Sequence, residues 1–333
     1  MSLEPPPPAA GGATIDVHTH VVPDGLPFGV TGDPRWPVLR TGPETGDVLV
    51  DGALYRTVAR TAWDLEARRA DLPGRGCHAQ VLSPMPHLFS YWAPIAPALD
   101  FSRALNTWLA DAVRAHPGVF YGLGTVPLQE PEAAAAELAT VKALGLSGVE
   151  LGTNVNGVSI ADPRFRDVFV EADRLGLAVF LHAFQPPMAA AVPGPAASAV
   201  CFPLDIALAV AGLIANGTLE ASPTLRLLAS HGGGGLGLAL PRLIHTWRTK
   251  APMRKRLPTP PEVVARRLFY DILLFDPAAL RYLIDFVGTG QIVIGSDYPF
   301  LDVPPEWPLT DLDLPGAVRL DIQESNARAF LGL

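Results

Sequence analysis

His18 and His20 stand one residue apart at the end of the apolar run TIDVH (14–18). Side chains on a strand alternate between faces, so both imidazoles project to one side and Thr19 to the other. Two imidazoles placed in this way offer a bidentate site to a borderline metal such as zinc. Taken alone, the pair reads equally well as two hydrogen-bonded polar residues at a strand end. Three further residues of metal-binding or proton-transfer type occupy equivalent places. His182 closes the run AVFLHA (178–183), His231 follows LRLLAS (225–230), and Asp297 follows QIVIGS (291–296). Each singly could be a satisfied core histidine or an ordinary cap. Together they form the donor set of a mononuclear site, because four of the eight histidines fall at such ends. His78, His116 and His245 flank turns or lie on a helix face, and His87 sits in a loop from which it could line a pocket.

The elements that must hold these residues are short, rich in Val, Ile and Leu, and apolar on both faces, as buried parallel strands are. Besides the four runs above, they are AQVLS (79–83), FYGLGTV (120–126), SGVELG (147–152) and LFYDIL (268–273). Amphipathic stretches of helical length separate them, at 62–72, 97–115, 131–143, 163–175, 204–215, 236–247, 277–287 and 321–330. Asp162-Pro163 and Asp276-Pro277 read as N-caps followed by Pro in the first turn, and Gly145 and Gly176 as helix stops. Eight strands alternating with eight helices predict an α/β fold of the (β/α)₈ TIM-barrel type; an open doubly wound sheet is the alternative, and it does not favour eight. Barrel enzymes build their sites at the C-terminal ends of the strands, where the four histidines and Asp297 lie. The expected organisation is a flexible tail over 1–13 and one domain over 14–333. That domain carries a Pro/Gly-rich insertion at about 21–61, including a hairpin DVLVDGALYRTV, and a second excursion at 250–262.

Composition narrows the function classes. The sequence has 35 prolines and 31 glycines, about a fifth of its 333 residues, yet 49% are hydrophobic and only 17% charged, which excludes wholesale disorder. A net charge of −8 leaves no basic footprint for nucleic acid or an anionic membrane. Residues 183–204 carry no charge, but five prolines (Pro186, Pro187, Pro193, Pro195, Pro203) argue for a loop rather than a membrane span. The N-terminus has neither a basic nor an apolar segment of signal-peptide type, and Cys77 and Cys201 are too few for a disulfide framework, so a cytoplasmic protein with reduced thiols is expected.

The motifs IDVHTH (15–20), LFSYWA (88–93), GLGTVPLQEPE (122–132), HGGG (231–234), GSDYPF (295–300) and NARAFLGL (326–333) run in order along the chain. This set resembles the amidohydrolase superfamily, and within it the branch of aminocarboxymuconate-semialdehyde decarboxylase; the long first loop with DGALYR (51–56) resembles that branch too. The resemblance implies that His18, His20, His182 and Asp297 ligate one zinc ion, or manganese in its place, with a water completing the shell. It implies that His231 acts beside the metal as general acid/base with help from Asp297. It further implies that Arg56 and Arg242 hold substrate carboxylates, Arg242 from the neighbouring subunit of a homodimer, and that Phe89 and Trp92 lie by the pocket mouth. Where a carboxylated lysine would bridge two metals, the chain reads Glu150-Leu151-Gly152, which argues against a binuclear site.

The expected function is a zinc-dependent, non-oxidative decarboxylase of an unsaturated or aromatic carboxylic acid, a small-molecule carboxylate. The same donors would serve a lactone or amide hydrolase, or a hydratase, and a barrel that has lost activity would serve as a binding module. After the fifth strand this chain has His182-Ala183-Phe184-Gln185 where relatives of that branch commonly have His-Pro-Trp-Asp, and a Pro/Ala-rich loop follows at 186–201. The resemblance therefore bears on the reaction class and not on the particular substrate.

Overall fold

The computed structural model describes residues 14–25 and 33–333; the expected tail at 1–13 lies outside them, as does part of the first insertion. Strand β1 (Ile15–Val21) is buried along its whole length, as its apolar sequence demands. The chain then makes β2 (Val38–Thr41), β3 (Thr45–Val50) and β4 (Ala53–Ala59), an antiparallel sheet beside the barrel. The expected hairpin is β3–β4, turning at Asp51-Gly52 with φ of 54° and 71°, the left-handed pair that a two-residue hairpin turn requires.

The barrel continues through β5 (Ala79–Pro84), β6 (Phe120–Gly124) and β7 (Gly148–Gly152). After a small ribbon of β8 (Asn154–Val155) and β9 (Val158–Ser159) come β10 (Ala178–His182), β11 (Leu227–Ala229), β12 (Phe269–Asp271) and β13 (Ile292–Val293). The eight barrel strands are parallel in the order β1-β5-β6-β7-β10-β11-β12-β13. The ring closes through Val17 N–H to Ile294 O (2.9 Å), Asp297 N–H to His18 O (2.8 Å) and His20 N–H to Tyr298 O (2.7 Å). The fold is thus the (β/α)₈ barrel expected from the alternation of elements, and its closing seam ties the HxH strand to the segment that carries Asp297.

The outer helices start and stop as their sequences specify. Asp276 accepts from the N–H groups of Ala278 and Ala279 and begins the helix Pro277–Val287; Asp162 accepts from Arg164 N–H; Gly176 ends Arg166–Leu175 in the left-handed conformation. The helix expected at 204–215 begins earlier, at Ala196, and carries Pro203 inside it. The proline is tolerated because the carbonyl it frees belongs to Ala199, on an exposed turn where water can satisfy it. This helix, with a mean hydropathy of 2.0, is the one among the described residues long and apolar enough to cross a membrane. In the barrel it fills the crossover between β10 and β11 and buries Ile206, Val210 and Leu213. The excursion at 250–262 forms the short helices Ala251–Arg256 and Pro261–Ala265. Inside the barrel, Ile15, Val17, Val81, Phe180, Leu228 and Phe269 make a separate apolar plug, with Phe330 of the last helix packed on Phe269 at 5.5 Å.

Candidate metal centre

Three imidazoles meet at the C-terminal mouth with their protons directed away from one another. His18 Nδ1 pairs with Asp271 Oδ2 at 2.7 Å, His20 Nδ1 lies 3.2 Å from Pro84 O, and His182 Nδ1 lies 2.8 Å from Ala183 O. Each partner is an acceptor, so each Nδ1 carries the proton and each Nε2 keeps its lone pair. All three Nε2 atoms are buried without a hydrogen-bond partner. Buried polar atoms are nearly always satisfied, so three orphans facing one point indicate a missing common partner. Asp297 supplies the fourth donor: its Oδ1 is 3.1 Å from His20 Nε2 and 3.7 Å from His18 Nε2. One donor atom from each of the four residues falls within 4.8 Å of all the others. Three neutral imidazoles and a carboxylate converging in this way fit one divalent ion. Burial pushes His20 and His182 toward the neutral, ligating form, and the neighbouring imidazoles push His182 further. Asp297 is held below the usual carboxylate range; burial opposes this, and His20, His18 and His231 outweigh it.

The backbone around the cluster is bent to purpose. Asp297 and His231 sit at φ of 59° and 55°, left-handed values that side chains other than glycine adopt at a cost. Asp16 helps hold this turn, with Oδ1 accepting from Ser296 N–H (3.1 Å) and Oδ2 from Ser296 Oγ (2.5 Å). Gly295 is required where the chain passes between His18 and Asp271, because a Cβ there would lie 2.8 Å from His18 Cβ and 2.7 Å from Asp271 Cβ.

Asp271, at the end of β12, was not among the residues singled out in the sequence, yet it organises the site. It accepts from His18 Nδ1, from the N–H groups of His231 (3.0 Å) and Gly232 (2.8 Å), and from Leu273 N–H (3.1 Å). It therefore fixes the tautomer of one ligand and the position of the HGGG turn together. His231 stands beside the cluster rather than in it, its ring centre 5.4 Å from that of His18 and 5.3 Å from that of His182. Its Nδ1 is 2.8 Å from Ser230 Oγ, and burial, reinforced by His18, pushes it down to about 4. Glu150, at the place of the absent lysine, is wholly buried 3.7 Å from His20 Nδ1, with both carboxyl oxygens unpartnered and burial pushing it well up.

A cavity of about 430 Å³, counting its open mouth, leads to His20, His182 and Asp297. Arg56 lines it, half-buried, with its guanidinium 4.6 Å from the centre of the Phe300 ring; Phe300 in turn stacks on His20 at 5.3 Å. The Arg56 side chain makes no ion pair or hydrogen bond among the described residues, so its charge is free to meet an anion. Tyr55, Met85, Pro86, His87, Ala183, Phe184, Gln185 and Phe202 complete the wall. The segment 186–201, expected as a loop but helical from Ala196, contributes none of these residues; its flanks, Phe184-Gln185 and Phe202, do. Phe89 and Trp92 do not line the cavity as expected. Phe89 is buried behind Phe184 at 5.5 Å, and Trp92 packs on Trp36 (5.0 Å) under the Arg35 guanidinium (4.2 Å). Trp92 is held by the first insertion, and Phe89 by Tyr91 and Phe184, because each buries its aromatic surface in those contacts. Arg242 also stays out of its own chain's cavity. It is exposed on the helix Leu236–Thr249 and lines a groove with Ala211, Leu238, Leu243 and Thr246.

A closed parallel barrel with two imidazoles on its first strand, a third on the fifth and an aspartate after the eighth defines a mononuclear metal-dependent amidohydrolase fold. The chain belongs to the amidohydrolase family, whose model matches residues 15–333. It is 31% identical to 2-amino-3-carboxymuconate-6-semialdehyde decarboxylase of Dictyostelium discoideum over 96% of this chain and 91% of the relative. It is 27% identical to gamma-resorcylate decarboxylase of Rhodococcus jostii, over 71% of this chain and 78% of that protein. In fold it is similar to 5-carboxyvanillate decarboxylase from Sphingomonas paucimobilis, with a TM-score of 0.82 at 21% identity covering 97% of this chain and all of that one. A manganese-bound dihydroxybenzoic acid decarboxylase from Polaromonas gives a TM-score of 0.75 at 19% identity, covering 97% and 98% of the two chains.

Proposed function

We propose that this protein is a metal-dependent, non-oxidative decarboxylase of an unsaturated or aromatic carboxylic acid. The observation that carries the reading is the three-imidazole, one-carboxylate cluster opening onto a cavity whose wall holds an unneutralised guanidinium. The relatives named above are decarboxylases of such acids, which supports the same reaction class here. An Arg56 side chain without an ion pair among the described residues favours a carboxylate ligand over the neutral lactone or amide that a hydrolase on the same site would take. A divalent ion held by His18, His20, His182 and Asp297 supplies Lewis-acid polarisation to a substrate oxygen when bound. Zinc is our first assignment from the three imidazoles, and the manganese in related structures makes manganese the alternative.

The chain's own residues divide the remaining work. Arg56, layered on Phe300, receives the carboxylate side of the substrate, while Phe184, Phe202 and Phe300 give the cavity an aromatic wall. His231 is neutral at pH 7, because burial disfavours its charged form, so its protonated form is a strong acid when it arises. It takes up a proton from solvent and gives it to the carbon bearing the carboxylate; the carbon–carbon bond then breaks, its electron pair returns to the π system, and CO₂ leaves, one solvent proton being consumed per turnover. A proton replaces the carboxylate, and no oxidant is needed. Asp297 stands close enough to relay a proton to the same region. General acid/base assistance of this kind contributes roughly 10²- to 10⁴-fold.

We further propose that the active form is a homodimer in which Arg242 serves the partner's cavity. Arg242 is exposed and far from its own pocket, and the surrounding face carries Leu204, Leu208 and Leu238 at 45%, 61% and 78% exposure. Apolar residues so grouped mark an interaction surface. A cytoplasmic location agrees with two buried, unpaired thiols. The test is metal analysis of the purified protein joined to a CO₂-release screen over unsaturated and aromatic acids. His231→Ala should keep its metal and lose turnover; a fully active His231→Ala protein would overturn the assignment. Mixing Arg56→Ala with Arg242→Ala should restore one working site per hybrid dimer, and no recovery under proven subunit exchange would remove the shared-site model.

A further inference from the structure

His87 is a histidine in the cavity wall that no step above uses. It sits on the short turn Pro86–Phe89 that follows β5, fixed from both sides by the buried Pro86 and Leu88. Its ring lies 3.9 Å from that of Tyr55 and 5.6 Å from that of Phe184, so aromatic neighbours hold its plane. It makes no hydrogen bond to any described residue, although its ring is mostly enclosed. A half-buried imidazole with fixed orientation, no protein partner and an open side facing a ligand cavity is a donor and acceptor reserved for the ligand. It does not add a second positive charge, because burial, with the nearby Arg56 guanidinium, holds His87 down to about 4. Away from the metal, the cavity of a single chain therefore offers, beside the Tyr55 hydroxyl and the Gln185 amide, one permanent cation at Arg56 and one neutral hydrogen-bonding ring at His87. Most of the remaining wall is apolar or aromatic, with Met85, Phe184, Phe202 and Phe300 prominent.

We infer that His87 is a specificity-determining residue that hydrogen-bonds a neutral hydroxyl substituent of the substrate acid, while Arg56 takes a carboxylate. The inference rests on the decarboxylase reading for the word substrate, but the contact itself is a matter of binding. A site built to hydrogen-bond a hydroxyl discriminates strongly against the analogue that lacks it, since the site's own polar group is then left unpaired. The corresponding ligand class is a flat monocarboxylic acid with one neutral hydroxyl, in preference to the bare acid or to a second anion at that position.

The test is calorimetric binding of benzoate and the three monohydroxybenzoates to the metal-loaded protein, for wild type, His87→Leu and His87→Gln. At least one hydroxylated isomer should bind tighter than benzoate to the wild type. His87→Leu should cut that isomer's advantage over benzoate about tenfold, and His87→Gln, which restores a neutral donor and acceptor, should recover part of it. Equal losses for benzoate and the isomer would assign His87 a structural role and overturn the inference. So would an undiminished advantage in His87→Leu, or a wild type that prefers benzoate to every isomer. Absence of CO₂ release from any acid, with the binding preference intact and dependent on His87, would instead refute the decarboxylase reading and leave this assignment standing.

Discussion

Asp271→Asn replaces one carboxylate oxygen by NH₂ and should disable the metal ligand His18, whose Nδ1 lies 2.7 Å away. In the native site Oδ1 accepts from Gly232 N–H at 2.8 Å and Leu273 N–H at 3.1 Å, and Oδ2 accepts from His18 Nδ1 at 2.7 Å and His231 N–H at 3.0 Å. An amide that keeps its oxygen toward Gly232 and Leu273 turns its NH₂ toward two donors. The buried His231 N–H then loses its acceptor, which costs about 1–3 kcal/mol. His18 must either leave Nδ1–H facing an NH₂ group or move its proton to Nε2. The second choice removes the lone pair that His18 directs at the cluster. Loss of such an outer carboxylate typically lowers metal affinity about 10- to 100-fold, or about 1.4–2.8 kcal/mol. Competition against a chelating dye at pH 7.5 measures the affinity, and urea unfolding of the metal-free protein measures the accompanying loss of about 2–4 kcal/mol expected from the broken network. An Asp271→Asn protein with wild-type affinity and wild-type stability would refute the claim that this carboxylate sets the His18 tautomer.

Further outcomes follow from the same geometry. Gly295→Ala should weaken both stability, by about 1–3 kcal/mol, and metal binding, because its Cβ would press within 2.8 Å of His18 Cβ and 2.7 Å of Asp271 Cβ; melting curves with and without metal will show both. His87 is held at about 4 in the fold against 6.5 ordinarily, so between those values the unfolded chain binds a proton that the native state does not, and stability falls as pH falls. His87→Phe should therefore remove about 2–3 kcal/mol from the difference in unfolding free energy between pH 7 and pH 4.5, measured in urea at both. Leu238→Glu, at a residue 78% exposed in one chain, should leave unfolding nearly unchanged but shift the protein to monomers in sedimentation, with turnover falling in step.

The metal end of this site was legible in the sequence and, Arg56 and His87 apart, the substrate end was not, for a physical reason. His18, His20, His182 and Asp297 sit at strand ends, where period-two alternation and the barrel's polarity fix both the place and the direction of a side chain. Asp271 and Asp16 carried a weaker signal: an acidic residue inside the apolar runs LFYDIL and TIDVH, which a buried strand keeps only when several donors surround it. Proline misled in one helix and not in another. Ala196–Ala215 tolerates Pro203 through an exposed carbonyl, whereas Leu236–Thr249 contains Pro241 and the Gly237 carbonyl it frees accepts from Tyr282 Oη at 2.8 Å. Neither compensation is visible in the local sequence, since water provides one and a residue 45 positions away the other. The same holds for Tyr55 on β4, Phe184 and Gln185 on a turn, and Phe202 on the helix Ala196–Ala215, which reach the cavity from elements between the barrel strands. Gln185 does so at a φ of 43°, a conformation no propensity would assign it. Metal binding is thus written into the ends of the barrel strands and ligand choice into the segments between them. Exchanging the flanks Phe184-Gln185 and Phe202 should accordingly redirect which acid binds while leaving the metal affinity within a few-fold of the wild type.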